Sequence, residues 1–364
     1  MKKVLFILTI LCPLFLTGCA EPGKQTSVED LAMISTISFD VINGEKMRMT
    51  VSLPNPSTQS QQTYSVDTQL IQEGLVEVSA QADKMVIINQ LRTILFSEEF
   101  ARSGKVAEVI EHFYRNSNVG NNVHLAIVKD RAEDVLKASF SDQPNTDSYL
   151  NNLLQSKIHT SFSPFTTLHD FQYTETSPVF YSMVPYLELK KNSVEIVGVA
   201  LFDRGKMIET ISRKQSSLIQ ALKGTDKLAP LAITIGEGDG KEQVHIELIK
   251  NKVKITSNRN VDSPKLAIQL NLQGALYEYK GNKDLGKTEE YKELEKEISE
   301  QVKKDVEDLI GKLRKLEVDP IGFSENFRMY YDGKWTEELT DKIITSVAYK
   351  VKVDFNLLNT GALK

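Results

Sequence analysis

The chain has 364 residues, with 44 lysines and arginines against 49 aspartates and glutamates, and a formal net charge of −5. That mildly acidic balance lacks the basic footprint of a protein that neutralises a phosphate backbone, and it gives no attraction to an anionic bilayer. Nucleic acid is therefore excluded as a partner, and the length suffices for two or three domains with real cores.

Residues 1–18 read as an export signal. Lys2 and Lys3 form the basic start, Val4 to Phe15 the apolar run, and Leu16-Thr17-Gly18-Cys19 the cleavage site of a bacterial lipoprotein. In that chemistry the Cys19 thiol takes a diacylglyceryl group, the peptide is cut before it, and the new N-terminus is acylated, typically by palmitate. The apolar run is well under the roughly 20 residues that span a bilayer. Cleavage leaves 346 residues, 364 less 18, and loss of Lys2 and Lys3 takes the balance from −5 to −7. Cys12 departs with the signal and Cys19 is acylated, which excludes disulfides, zinc–cysteine sites and a cysteine nucleophile together. No stretch after Cys19 has spanning length, so the expected location is the outer face of the cell membrane, held by a diacylglyceryl anchor.

Residues 19–30 form a polar tether with Pro22 and Gly23. Leu31 to Phe39 and Lys46 to Leu53 read as strands joined at Asn43-Gly44, a hairpin signal, and Pro54-Asn55-Pro56 opens an exposed loop. Val66, Leu70, Ile71, Gly74, Leu75 and Val78 then recur at helical spacing, predicting a helix from about Val66. Arg92 to Phe96 predicts a strand, and Ser97 followed by Glu98-Glu99 is a helix N-cap with acids in the first turn; Gly104 ends that helix. A helix over Lys105 to Arg115, a strand over Val123 to Val128 and a helix over Arg131 to Ala138 continue an α/β alternation. Ser141 to Pro178 reads as irregular apart from a helix at Tyr149 to Ile158.

Strand signal returns from Tyr181 to Ile211, with a turn at Asp203-Arg204-Gly205, and a helix over Arg213 to Lys223 stops at Gly224. Leu231 to Ile235, Glu242 to Lys250, Asn251 to Ser257 and Lys265 to Tyr279 are strand candidates. Thr288 to Leu316 is a long helix with Tyr291, Leu294, Ile298, Val302, Val306, Leu309, Leu313 and Leu316 as one apolar stripe. Glu300 with Lys304, and Asp308 with Lys312, stand at i,i+4 on its wet face, and Pro320 stops the run. Ile343 to Leu357 alternates as a final strand. The pattern predicts a multi-domain α/β (α+β) chain with mixed sheets and packed helices, the long helix lying against an antiparallel sheet. Residues 31–190 and 191–364 are the expected N- and C-terminal domains, with a further seam near 226.

Catalytic signals are absent from the sequence. His112, His124, His159, His169 and His245 form no metal or triad spacing, and no HExxH, GxSxG, Walker or paired-cysteine motif occurs. Gly236-Glu237-Gly238-Asp239-Gly240 lies between strands and its acids would repel phosphate, so it reads as a hairpin turn. Trp335 reads as a core anchor beside the turn Asp332-Gly333-Lys334. The expectation is a protein without enzyme activity, cofactor or metal.

Several segments together resemble a known family. They are Arg92-Thr-Ile-Leu-Phe-Ser-Glu-Glu-Phe-Ala101 with Gly104, the hairpin Gly198-Val-Ala-Leu-Phe-Asp-Arg-Gly-Lys-Met207, and the long helix ending in Asp319-Pro320-Ile-Gly322-Phe323. Trp335, the alternating last strand and Gly361 follow in order. With the lipobox, they resemble the C-subunit lipoproteins of spore germinant receptors, the GerC type. Ala20-Glu21 replaces the Trp-Asp often found there after the lipidated cysteine, and Ile37-Ser38-Phe39-Asp40 replaces a glycine-rich turn. The resemblance implies an anchored, non-catalytic subunit at the inner membrane of the spore, beside a polytopic A-type and a B-type receptor subunit, serving assembly and nutrient-triggered signalling. A solute-binding lipoprotein of a transporter, or a cell-envelope enzyme, would need a closable polar cleft or a catalytic motif.

Overall fold

The computed structural model describes residues 31–54, 61–140, 145–155, 164, 166–236 and 240–358. The expected signal, tether, Cys19, the Pro54-Asn55-Pro56 loop beyond Pro54, His159, the tip of the Gly236–Gly240 turn and Gly361 lie outside them. From the N-terminus come β1 (Leu31–Met33), β2 (Thr36–Asn43), β3 (Lys46–Pro54), β4 (Gln61–Thr68), α1 (Ile71–Gln81), β5 (Met85–Ile87), β6 (Thr93–Ser97), α2 (Glu98–Arg102) and α3 (Val106–Tyr114). Next are β7 (His124–Val128), α4 (Ala132–Lys137), α5 (Thr146–Leu154), α6 (Leu168–Glu175), β8 (Met183–Leu189), β9 (Val194–Asp203), β10 (Lys206–Ser212) and α7 (Arg213–Leu222). The remainder is β11 (Lys227–Leu228), β12 (Leu231–Ile235), β13 (Glu242–Ser257), β14 (Lys265–Lys280), α8 (Thr288–Lys315), α9 (Glu325–Arg328), α10 (Glu337–Ser346) and β15 (Ala348–Leu358).

Eight strands form one mixed sheet in the order β10-β9-β8-β7-β6-β2-β3-β4. Its centre, β2, β6, β7 and β8, is parallel, and antiparallel hairpins extend both flanks. β6 and β7 are buried along their whole length, as central parallel strands covered on both faces must be. On one face α1, α2, α3 and α6 close a core around Phe39, Phe96, Phe100 and Phe113, whose ring centroids lie 5.7–6.2 Å apart. On the other, α4 and α5 cover Leu95, Ala126 and Val128. Burying each phenylalanine of the first core contributes roughly 1.5–3 kcal/mol.

A second sheet, β11-β13-β14-β15 with β12 on β13, carries α8 across it. It is antiparallel as far as β14, and β15 then lies parallel to β14 because α8, α9 and α10 carry the chain back. The α8 stripe is buried at Leu294, Ile298, Val302, Val306, Leu309 and Leu313, as its spacing predicts. A single core joins this sheet to α7 and to Val199, Leu201 and Ile211 of β9 and β10. β8 and β9, on either side of residue 190, are one hairpin.

Several expectations are corrected. Val66 lies in β4, opposite Met49 of β3, and the helix starts only at Ile71. Leu31 to Phe39 is two strands, because Ile34 and Ser35 turn the chain from β5 into the large sheet. Glu242 to Ser257 is one strand with an irregularity at Leu248, whose φ is 53°. Ile343 to Ser346 closes α10 rather than opening β15. α6, with a Thr167/Asp170 capping box, falls where no element was expected. Within α8 the i,i+4 ion pairs among the described residues are Lys296–Glu300 and Lys303–Glu307, and Lys312 donates to the Thr210 carbonyl.

Candidate functional site

The β9–β10 hairpin turns through Arg204 and Gly205 with φ of 46° and 74°, two left-handed residues in a row, as a tight hairpin requires. Gly205 is needed for a second reason: a Cβ there would stand 2.6 Å from Cβ of Ala107 on α3. The turn is thus held down on α3 while Arg204 reaches across to α10. Its Nε is 3.1 Å from Glu337 Oε2 and its Nη2 3.5 Å from Asp341 Oδ2, and the Tyr181 hydroxyl donates to the other Asp341 oxygen at 3.4 Å. Glu337 and Asp341 are one helical turn apart and face the guanidinium together.

Behind these ion pairs the seam is packed. Trp335 is 8% exposed; its Nε1 donates to Thr340 Oγ1 at 2.8 Å, and that hydroxyl donates to the Pro178 carbonyl at 2.6 Å. Asp319, fully enclosed, accepts from the amides of Gly322 and Ser324 at 2.8 and 2.9 Å and so folds the loop that follows α8. Gly322, with φ 85°, lies against the Phe180 ring, which a Cβ would meet at 3.0 Å. Exposed ion pairs contribute only about 0.2–1 kcal/mol each, so the buried Trp335–Thr340–Pro178 chain and the apolar contacts set the seam's strength.

A third segment joins from the large sheet. Ser97 caps α2 by accepting from the Phe100 amide at 3.3 Å. Glu98 accepts from the Tyr186 hydroxyl and pairs with Arg102, whose Nη1 donates to the Ile208 carbonyl of β10 at 2.9 Å. Gly104 ends the turn at φ 85° against Lys206. Residues 92–104, 198–207, 319–323 and Trp335, distant in the chain, therefore meet around one hairpin.

Glu175, at the end of α6, was not singled out by its sequence context. Burial pushes its carboxyl from 4.5 up to about 7, a rise tempered by the Ser182 hydroxyl at 3.2 Å and reinforced by Asp203. The raised value means that the folded protein holds this proton more tightly than the unfolded chain. The associated stability is present below about pH 4.5 and is lost as pH rises through 7. Glu175→Gln is expected to flatten that decline and to exceed the parent at pH 8 by roughly 1–2 kcal/mol, read from urea unfolding at pH 5 and pH 8. An unchanged pH dependence would assign the proton elsewhere.

Chemically, the seam consists of ion pairs, a buried hydrogen-bonded chain and apolar contacts. Among the described residues no group of three His, Cys, Asp or Glu side chains could hold a metal ion. His112 is on α3, His124 in β7, His169 on α6 stacked on Tyr114, and His245 in β13. No helix among the described residues is long and apolar enough to cross a membrane.

Two family models match the chain in sequence. Residues 24–189 match the spore germination protein N-terminal domain, and residues 197–361 the spore germination B3/GerAC-like C-terminal domain. Spore germination protein GerQC of Bacillus cereus is 26% identical over 359 residues, covering 98% of each chain. Spore germination protein B3 of Bacillus subtilis (strain 168) is 21% identical over 378 residues, covering 98% of this chain and 96% of its own. The crystal structure of the GerBC protein superposes with a TM-score of 0.56 at 16% identity, over 89% of this chain and 97% of that one, and shows the shared fold.

Proposed function

The chain belongs to the GerAC-like family of spore germination proteins, and from that premise we propose that it is the lipid-anchored C subunit of a nutrient germinant receptor, needed for receptor assembly and signalling. The observation that carries the reading is that both family domains occur in order and together take up nearly all of the chain beyond the signal. The seam supports it, since the segments that give the family resemblance hold two sheets in one arrangement. Cys19, by this reading, carries the diacylglyceryl and N-acyl groups and fixes the body at the outer face of the membrane, which in the spore is the inner membrane. The partners are the A-type and B-type membrane subunits. Residues 31–190 and 191–364 act as the N- and C-terminal germination domains. The solute-binding reading has no support in the relatives named above, all of which bear spore germination names.

Deletion of the gene is expected to abolish germination through one nutrient route and leave other triggers and outgrowth intact. Germination assayed nutrient by nutrient decides this, and a deletion strain that responds normally to every nutrient removes the role.

A further inference from the structure

The second face of the large sheet carries an unusual surface. Where β2, β3, β4 and β6 meet α4 and α5, the inward residues are hydroxyl-bearing: the register aligns Thr63, Ser52, Thr36 and Thr93 in one row and Ser65, Thr50 and Ser38 in the next. Thr36, Ser38, Thr50, Ser52 and Thr93 are wholly buried. Three acids are buried with them, and two are compensated. Asp40 accepts from the amides of Ala132 and Glu133 at 2.7 and 3.0 Å, and Glu133 is paired with Arg48, Arg131 and Lys137.

Asp147 differs. It stands in the first turn of α5 and is 4% exposed; Ser52 Oγ donates to its Oδ2 at 2.9 Å. Its Oδ1 has no hydrogen-bond partner among the described residues, and the same holds for Thr36 Oγ1, Thr93 Oγ1 and Ser38 Oγ. Burial pushes the Asp147 carboxyl up, while the Thr36, Ser52 and Ser35 hydroxyls and the more distant, exposed Arg92 pull it down. Thr36 and Ser35 thus act on the charge of the carboxyl, and Ser52 makes the hydrogen bond to it. Each buried polar atom left unpaired costs about 1–3 kcal/mol, so four in one place are a large defect for a fold to retain.

All four atoms are oxygens, and they carry one formal negative charge between them. Nitrogen and sulfur donors, which a transition metal prefers, are missing from the set, and a divalent ion ordinarily draws more carboxylates. We propose that this strip between β2, β6 and α5 binds one alkali-metal cation, held by Asp147 Oδ1 and the hydroxyls of Thr36 and Thr93, with Ser38 adjoining. The cation supplies the positive partner that Asp147 lacks, and its charge offsets the burial that otherwise pushes this carboxyl up. Docking of α5 onto the sheet is then linked to the cation, because only the folded face assembles the oxygens.

The test is thermal unfolding of the full chain in sodium chloride, potassium chloride and N-methylglucamine chloride at one ionic strength. The expected result is a saturable rise in melting temperature with one alkali cation over the organic one. Asp147→Asn abolishes the rise, and Thr36→Val or Thr93→Val raises the half-saturating concentration by about tenfold, the loss of one good ligand. The threonine variants keep the test decisive if the asparagine variant does not fold. Equal melting in all three salts overturns the proposal, as does an Asp147→Asn protein that keeps the response. A cation-indifferent parent that gains stability on acidification also overturns it, since Asp147 then holds a proton instead.

Discussion

Cys19→Ala is expected to shift the protein from the membrane to the soluble fraction when it is expressed without the other receptor subunits. One acyl chain gives a membrane association constant of about 10⁴ M⁻¹, and further chains add about 0.8 kcal/mol per buried methylene, so the proposed lipid on Cys19 would dominate every other contribution. No helix among the described residues offers a second means of crossing. With the partner subunits present, the alanine protein should be weakened mainly by lost proximity, because tethering raises effective concentration without adding contacts. Fractionation after metabolic lipid labelling reads both quantities. An alanine protein that stays in the membrane pellet on its own would mean that some other segment holds it there.

Gly198→Ala is expected to destabilise the fold by more than about 3 kcal/mol, a large fraction of a domain's total stability. A Cβ at that position would lie 2.3 Å from the Ile211 carbonyl oxygen and 3.4 Å from its carbon, which are backbone atoms of the adjoining strand and cannot swing aside. The hairpin that carries Arg204 to α10 would have to part. Gly311→Ala provides the contrast. It sits inside α8 with nothing within 4 Å of an added Cβ, so alanine should stabilise by up to about 1 kcal/mol. Urea midpoints of the two variants should therefore move in opposite directions, and a neutral Gly198→Ala would contradict the packing described.

Much of the fold was legible where one period ruled a segment. Thr288 to Lys315 emerged within a residue because its stripe is long and its ends carry the right charges, Glu289 and Glu290 at the start and Lys312, Arg314 and Lys315 at the finish. β4 is hidden in the sequence for a physical reason. Its inward second face is Thr63 and Ser65, lying in a buried hydroxyl layer, so the strand shows too little apolar character to be read as one, and Val66 was lent to the helix behind it. α6 is polar along much of its length and is announced only by the Thr167/Asp170 box. The seam itself could not be read, because Arg204 meets Glu337 and Asp341, and Thr340 meets Pro178, across more than a hundred residues. What the sequence did hold was the set of segments that converge there.

The proposed role is to hold membrane partners in one complex. Its most direct measurement is affinity purification of the tagged protein from solubilised spore inner membranes, with identification of what accompanies it. An A-type and a B-type germinant receptor subunit are expected in constant ratio with this chain, and in reduced yield when Cys19 is alanine. A protein that comes down alone, and binds an amino acid or sugar tightly by calorimetry, would contradict it.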